Sequence, residues 1–97
     1  MKIRELTRVV RVSIRSFSEL NPLEQELLVE AGRVRRNAQA PYSHYCVGVA
    51  VFGEDLGIYK GCNVERATWT QTTHAEQCAI DGMITVLGPS KIIAVGL

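Results

Sequence analysis

The sequence predicts an α/β domain, and three stretches carry that expectation. Asn21-Pro22-Leu23-Glu24 opens an amphipathic helix; residues 45–52 and 58–64 read as two strands of a hairpin; a second apolar helix starting at Thr72 or Thr73 leads into a third strand over 91–97. The order is helix-strand-strand-helix-strand, with residues 1–20 as an N-terminal extension and 21–97 as the domain.

Ninety-seven residues suffice for one small core. An apolar fraction of 46% and a charged fraction of 22% are ordinary for a globular chain. The net charge of +1 gives no general attraction to nucleic acid or membranes. No apolar run approaches the roughly 20 residues that span a bilayer. Glu5, Arg8 and Arg11 interrupt what a signal peptide would need as its apolar core, so a cytoplasmic location is expected. Cys46, Cys62 and Cys78 are odd in number, widely spaced and set among apolar residues, which predicts buried reduced thiols.

In the extension, Val10, Val12 and Ile14 alternate with Arg11, Ser13 and Arg15, the period of a half-exposed edge strand. Lys2, Arg4, Arg8, Arg11 and Arg15 also form a basic strip, but Phe17 is the single aromatic near it, so a solvated strand face is favoured over a polynucleotide contact.

Asn21 caps the first helix, Pro22 suits its first position and Glu24 completes a capping box. Leu23, Leu27, Ala31, Val34 and Ala38 fall on one face, Arg33, Arg35 and Arg36 gather where the helix dipole favours cations, and Pro41 is expected to end the helix. Residues 45–52 are apolar on both faces, as in a central strand covered on two sides. Gly61 in the next strand predicts a close approach of backbone or ligand. Asn63 and Glu65, two apart, point the same way on an extended segment. They suit either a grip on a diol or a polar strand end.

In the second helix Ala75, Ala79, Met83 and Val86 line one face and Ile80, Ile84 and Leu87 the next, so most of it should be buried. Thr73 and Glu76 match a capping box, which accounts for Glu76 without chemistry. The alternative is a catalytic pair. A neutral His74 at a helix start can ligate a metal, and a buried Glu76 would have its pKa raised toward that of a working acid/base.

Four stretches together are more specific. Ala40-Pro41-Tyr42-Ser43, Tyr45-x-Val47-Gly48, Gly61-Cys62-Asn63-Val64-Glu65-Arg66-Ala67 and Thr73-His74-Ala75-Glu76-Gln77-Cys78-Ala79-Ile80 resemble the cytidine deaminase family in order and spacing. The resemblance implies a three-layer α/β/α sandwich around a mixed sheet, of which this chain holds the first half. It implies a zinc cofactor with His74 as a ligand, and Glu76 as the carrier of a proton from the zinc-activated water to the base. Asn63 and Glu65 would hold ribose hydroxyls, the Ala75 backbone would meet the base edge, and Tyr45 would wall the pyrimidine in place of the family's commoner Phe. It also implies a free nucleoside as substrate and a homo-oligomer, dimer or tetramer, as the working form.

The Pro-Cys-x-x-Cys segment that would supply two further zinc ligands has no counterpart in these residues. Three readings follow: a cytidine or deoxycytidine deaminase of pyrimidine salvage completed from elsewhere; a silent remnant acting through oligomer contacts; or a deaminase of another substrate, such as blasticidin S or a base in RNA.

Overall fold

The computed structural model describes residues 9–68 and 71–97. A turn of 3-10 helix at Phe17–Glu19 precedes α1 (Pro22–Val34), then come β1 (Gly48–Gly53), β2 (Ile58–Cys62), α2 (Ala75–Leu87) and β3 (Ile92–Gly96). The strands form one sheet in the order β2-β1-β3, so the first strand in sequence is the central one.

β1 takes that place because neither of its faces is polar. Val49 and Val51 pack on one side with Ala75, Ala79 and Met83 of α2, and Ala50 packs on the other with Leu27 and Ala31 of α1. All three β1 residues are fully buried. The alternation has period two, as a strand requires, and it generates the expected α/β/α layering. Both pairings of β1 are antiparallel. The parallel pairing that a mixed sheet needs does not occur among these three strands.

Local signals set the helix starts and turns. Glu24 N–H donates to Asn21 Oδ1 at 2.8 Å and Asn21 N–H to Glu24 Oε1 at 3.0 Å, the expected capping box. In the β1–β2 turn, Leu56 adopts a positive φ of 66° while Asp55 Oδ1 accepts from Gly57 N–H at 3.1 Å. The Tyr59 hydroxyl donates to Asp55 Oδ2 at 2.7 Å, which stiffens the hairpin. At Gly61 an added Cβ would lie 2.5 Å from the Ala75 carbonyl oxygen. The expected close approach is therefore to the backbone of α2, not to a ligand.

Other expectations are corrected. Residues 9–16 form no strand, and Val10, Val12 and Ile14 are exposed, Ile14 by 98%; alternation without a face to bury specifies nothing. Residues 1–8 of the basic strip lie outside the described part. The first helix ends at Val34, well before Pro41, and a 3-10 turn (Arg35–Asn37) releases the chain. Gln39 can then bond across to the chain beyond β2: its N–H donates to Asn63 O at 3.0 Å and its carbonyl accepts from Glu65 N–H at 2.8 Å.

The strands are also shorter than read, because residues 45–47 and 63–65 leave the ladder for contacts described below. α2 buries only Ala75, Ala79 and Met83, leaving Ile84, Val86 and Leu87 exposed. The cysteines are free but not core: Cys46 is exposed, and Cys62 and Cys78 are half-buried.

Two glycines test this packing. Gly61→Ala is expected to destabilise the fold by about 2 kcal/mol or more, the usual scale for overpacking. Gly82 lies inside α2, and a Cβ added there would meet nothing within 4 Å. Gly82→Ala should therefore stabilise the fold by roughly 0.5–1 kcal/mol. Urea denaturation of the two variants checks both signs.

Candidate active site

Where the chain passes from β2 to α2 its backbone is tied to itself. Val64 N–H donates to Thr73 O at 2.9 Å and Thr73 N–H to Val64 O at 3.0 Å. This antiparallel bridge brings the start of α2 beside the end of β2. Arg66 reinforces it, with Nη1 donating to Gln71 O at 2.6 Å and to Thr73 Oγ1 at 2.8 Å.

The bridge also corrects the cap of α2. With Thr73 paired to Val64, His74 becomes the N-cap, and its N–H donates to Gln77 Oε1 at 3.2 Å. Glu76 therefore takes no part in capping. It lies in the first turn, where the helix dipole favours a carboxylate. It is exposed, as His74 is, so the expected burial of Glu76 is not found among the described residues.

A cleft of about 460 Å³ lies at this junction, lined by Ser43, Tyr45, Val47, Asn63, Glu65, Thr72, His74, Ala75 and Glu76. All six residues singled out from the sequence thus line one cavity, although they come from three separated stretches. Ala75 is buried at its back, and Tyr45 stands at its rim, 72% exposed. Ser43 and Thr72 were not singled out for any role. The one signal for Ser43 was its place in the Ala40-Pro41-Tyr42-Ser43 stretch.

Asn63 and Glu65 are the buried polar residues here, 8% and 4% exposed. Both are hydrogen-bonded by the protein. Asn63 Oδ1 accepts from Val47 N–H at 2.9 Å, and its Nδ2 donates to Tyr45 O at 2.8 Å. Glu65 Oε1 accepts from the N–H groups of Tyr42 and Ser43, each at 3.1 Å, and Oε2 accepts from the Ser43 hydroxyl. The pair thus forms a clasp on residues 42–47. Capacity remains for a ligand: the amide keeps one N–H and the carboxylate one acceptor position.

The Ser43 hydroxyl holds the Glu65 carboxyl below its ordinary value; burial opposes the shift, while the two backbone donors and nearby His44 assist it.

The metal question rests on the donor set. Among the described residues no three His, Cys, Asp or Glu side chains gather to hold a metal ion. A catalytic zinc takes three protein ligands. His74, even with Cys78 one helical turn later, does not make such a site, so the residues present do not by themselves fit the metal.

Comparison with known proteins places this arrangement. Residues 22–95 match the family model described as the cytidine and deoxycytidylate deaminase zinc-binding region. The chain belongs to that family. It is 40% identical over 55 residues to the cytidine deaminase of Sporosarcina psychrophila, a match covering 57% of this chain and 40% of that protein. The crystal structure of cytidine deaminase from Mycobacterium leprae superposes with a TM-score of 0.67 at 36% identity, covering 72% of this chain and 58% of that one. That from Burkholderia pseudomallei gives 0.66 at 33% identity, covering 72% and 56%. The chain thus spans between about two-fifths and three-fifths of the relatives it matches.

Because the folded-state pKa of Glu65 is depressed, its contribution to stability is present above the ordinary carboxylate value of 4.5 and is lost as pH falls through the lower folded value. Stability measured by denaturation between pH 7 and pH 3 should therefore fall toward acid. Glu65→Gln should be less stable at pH 7 and show a shallower acid decline.

Proposed function

We propose that this chain provides the nucleoside-holding and proton-transferring side of a hydrolytic deaminase site, acting on cytidine or deoxycytidine in cytoplasmic pyrimidine salvage. The single observation that carries this reading is the convergence of Tyr45, Asn63, Glu65, His74, Ala75 and Glu76 on one cleft. Family membership supports the same reading.

The roles follow from chemistry. Hydrolytic deamination adds water to the amino-bearing ring carbon, protonates the ring nitrogen and expels ammonia. Glu76, as a carboxylate, takes a proton from the attacking water and passes it on to the base. It is suited to this because it makes no hydrogen bond or ion pair among the described residues. The free N–H of Asn63 and the open acceptor position of Glu65 suit a sugar hydroxyl, the Ala75 backbone meets the base edge, and the Tyr45 ring flanks the pyrimidine. Zinc belongs to the proposal as the family's metal, with His74 as this chain's ligand; no step is derived through it, since the remaining ligands are not among these residues. Assembly as a homo-oligomer, dimer or tetramer, is part of the same reading. It is supported by the apolar side chains that α2 and β3 leave exposed.

One observation favours a second reading. The described residues gather no three metal donors, which would suit a silent member of the family that acts through contacts between copies.

Ammonia release from cytidine, measured beside zinc content, separates the two. We expect turnover by a zinc-containing preparation, and Glu76→Gln should lower kcat by at least ~10²-fold, the minimum usual for general acid–base catalysis. Full turnover by Glu76→Gln would remove Glu76 from the mechanism. One zinc per chain with no turnover of cytidine or deoxycytidine would overturn the deaminase reading, and a zinc-free, inactive preparation would favour the second.

A further inference from the structure

Tyr45, the aromatic rim of the cleft, is held by its backbone on both sides. Its carbonyl accepts from Asn63 Nδ2 at 2.8 Å, and its N–H donates to Ser43 Oγ at 3.0 Å. The same Ser43 hydroxyl gives its only proton to Glu65 Oε2. Between Ser43 and Tyr45 the chain turns through His44, whose φ of 59° is rarely adopted outside glycine. His44 N–H donates to Ala40 O at 3.0 Å, closing the turn. A serine hydroxyl has one proton and accepts on its lone pairs, so its orientation toward Glu65 also sets which face it offers to the Tyr45 amide.

We propose that Ser43 is a positioning residue that couples the buried Glu65 carboxylate to the backbone of Tyr45, fixing the aromatic wall of the cleft relative to the pair that would hold the sugar. Its value for nucleoside binding rests on the reading above, but the coupling itself does not. In this arrangement Asn63 and Glu65 build the wall before they touch any ligand. Ionised Glu65 orients the Ser43 hydroxyl; protonated Glu65 no longer needs its proton and releases that orientation. His44 is the titratable neighbour that acts on the same carboxylate.

The test is a pH titration of the isotopically labelled chain by nuclear magnetic resonance, following the Glu65 carboxyl carbon and the Tyr45 amide. In the wild type the Tyr45 amide shifts should change with the same midpoint as the Glu65 carboxyl. In Ser43→Ala the Glu65 midpoint should rise, and hydrogen exchange at the Tyr45 amide should quicken at least tenfold, while Val49 and Val51 stay protected. Ser43→Thr, which keeps the hydroxyl, should restore both.

A Tyr45 amide that stays flat through the Glu65 titration in the wild type would overturn the proposal, whether or not Ser43→Ala folds. So would a Ser43→Ala chain with unchanged Glu65 titration and unchanged Tyr45 exchange. None of these readouts uses turnover. Loss of the deaminase reading would therefore leave this result standing, and the reverse also holds.

Discussion

β1 has no face that tolerates water, and the arrangement of the other elements follows from that. Val49 and Val51 require an apolar cover on one side and Ala50 on the other. A helix must therefore lie on each face of the sheet, and each must come close. Gly48 and Gly61 permit the approach: an added Cβ at Gly48 would lie 2.8 Å from Arg35 N, on the α1 side, and Gly61 faces the backbone of α2. The salt bridges near α1 are secondary. Lys60 to Glu30 at 3.2 Å and Arg33 to Glu30 at 2.6 Å join partly exposed groups, and such pairs contribute little.

The cleft is a consequence of ending the hairpin early. Once β2 stops at Cys62, the side chains of Asn63 and Glu65 are buried and need hydrogen-bond partners of their own. Burying an unpaired carboxylate is costly, and the segment 42–47 meets that demand with four N–H or O–H donors to the two side chains. Val64, pointing the other way between them, pairs through its backbone with Thr73 and sets His74 and Glu76 at the far wall. One stretch of three residues thus fixes both sides of the cavity.

How much of this was legible depended on the range of the interactions. The Asn21 cap was readable because all its determinants lie within four residues. The two-sided burial of β1 was readable because no residue in it is charged. The end of α1 was not: Gln39 leaves the helix direction for partners at Asn63 and Glu65, more than 20 residues away. Nor was the cap of α2. Thr73 with Glu76 is the better local pattern, and it is overridden by Val64, whose backbone pairs with Thr73, and by Arg66, which occupies the Thr73 hydroxyl. The site residues themselves were named through a family resemblance. What spacing could not show is the set of hydrogen bonds by which Asn63 and Glu65 hold residues 42–47.

Glu76 marks the limit of what these residues accomplish. A carboxylate that moves protons near neutral pH works best with its pKa raised toward the working range, and burial is the usual cause. Here Glu76 and His74 are exposed, while Asn63 and Glu65, which line the same cleft, are buried and bonded. The hydrogen bonds around Asn63 and Glu65 are thus made within the described residues, whereas the side chain of Glu76 is left open. Ile84, Val86 and Leu87 on α2 and Ile93 and Val95 on β3 are exposed as well. Under the deaminase reading Glu76 needs enclosure, which must come from groups other than the described residues that line the cleft.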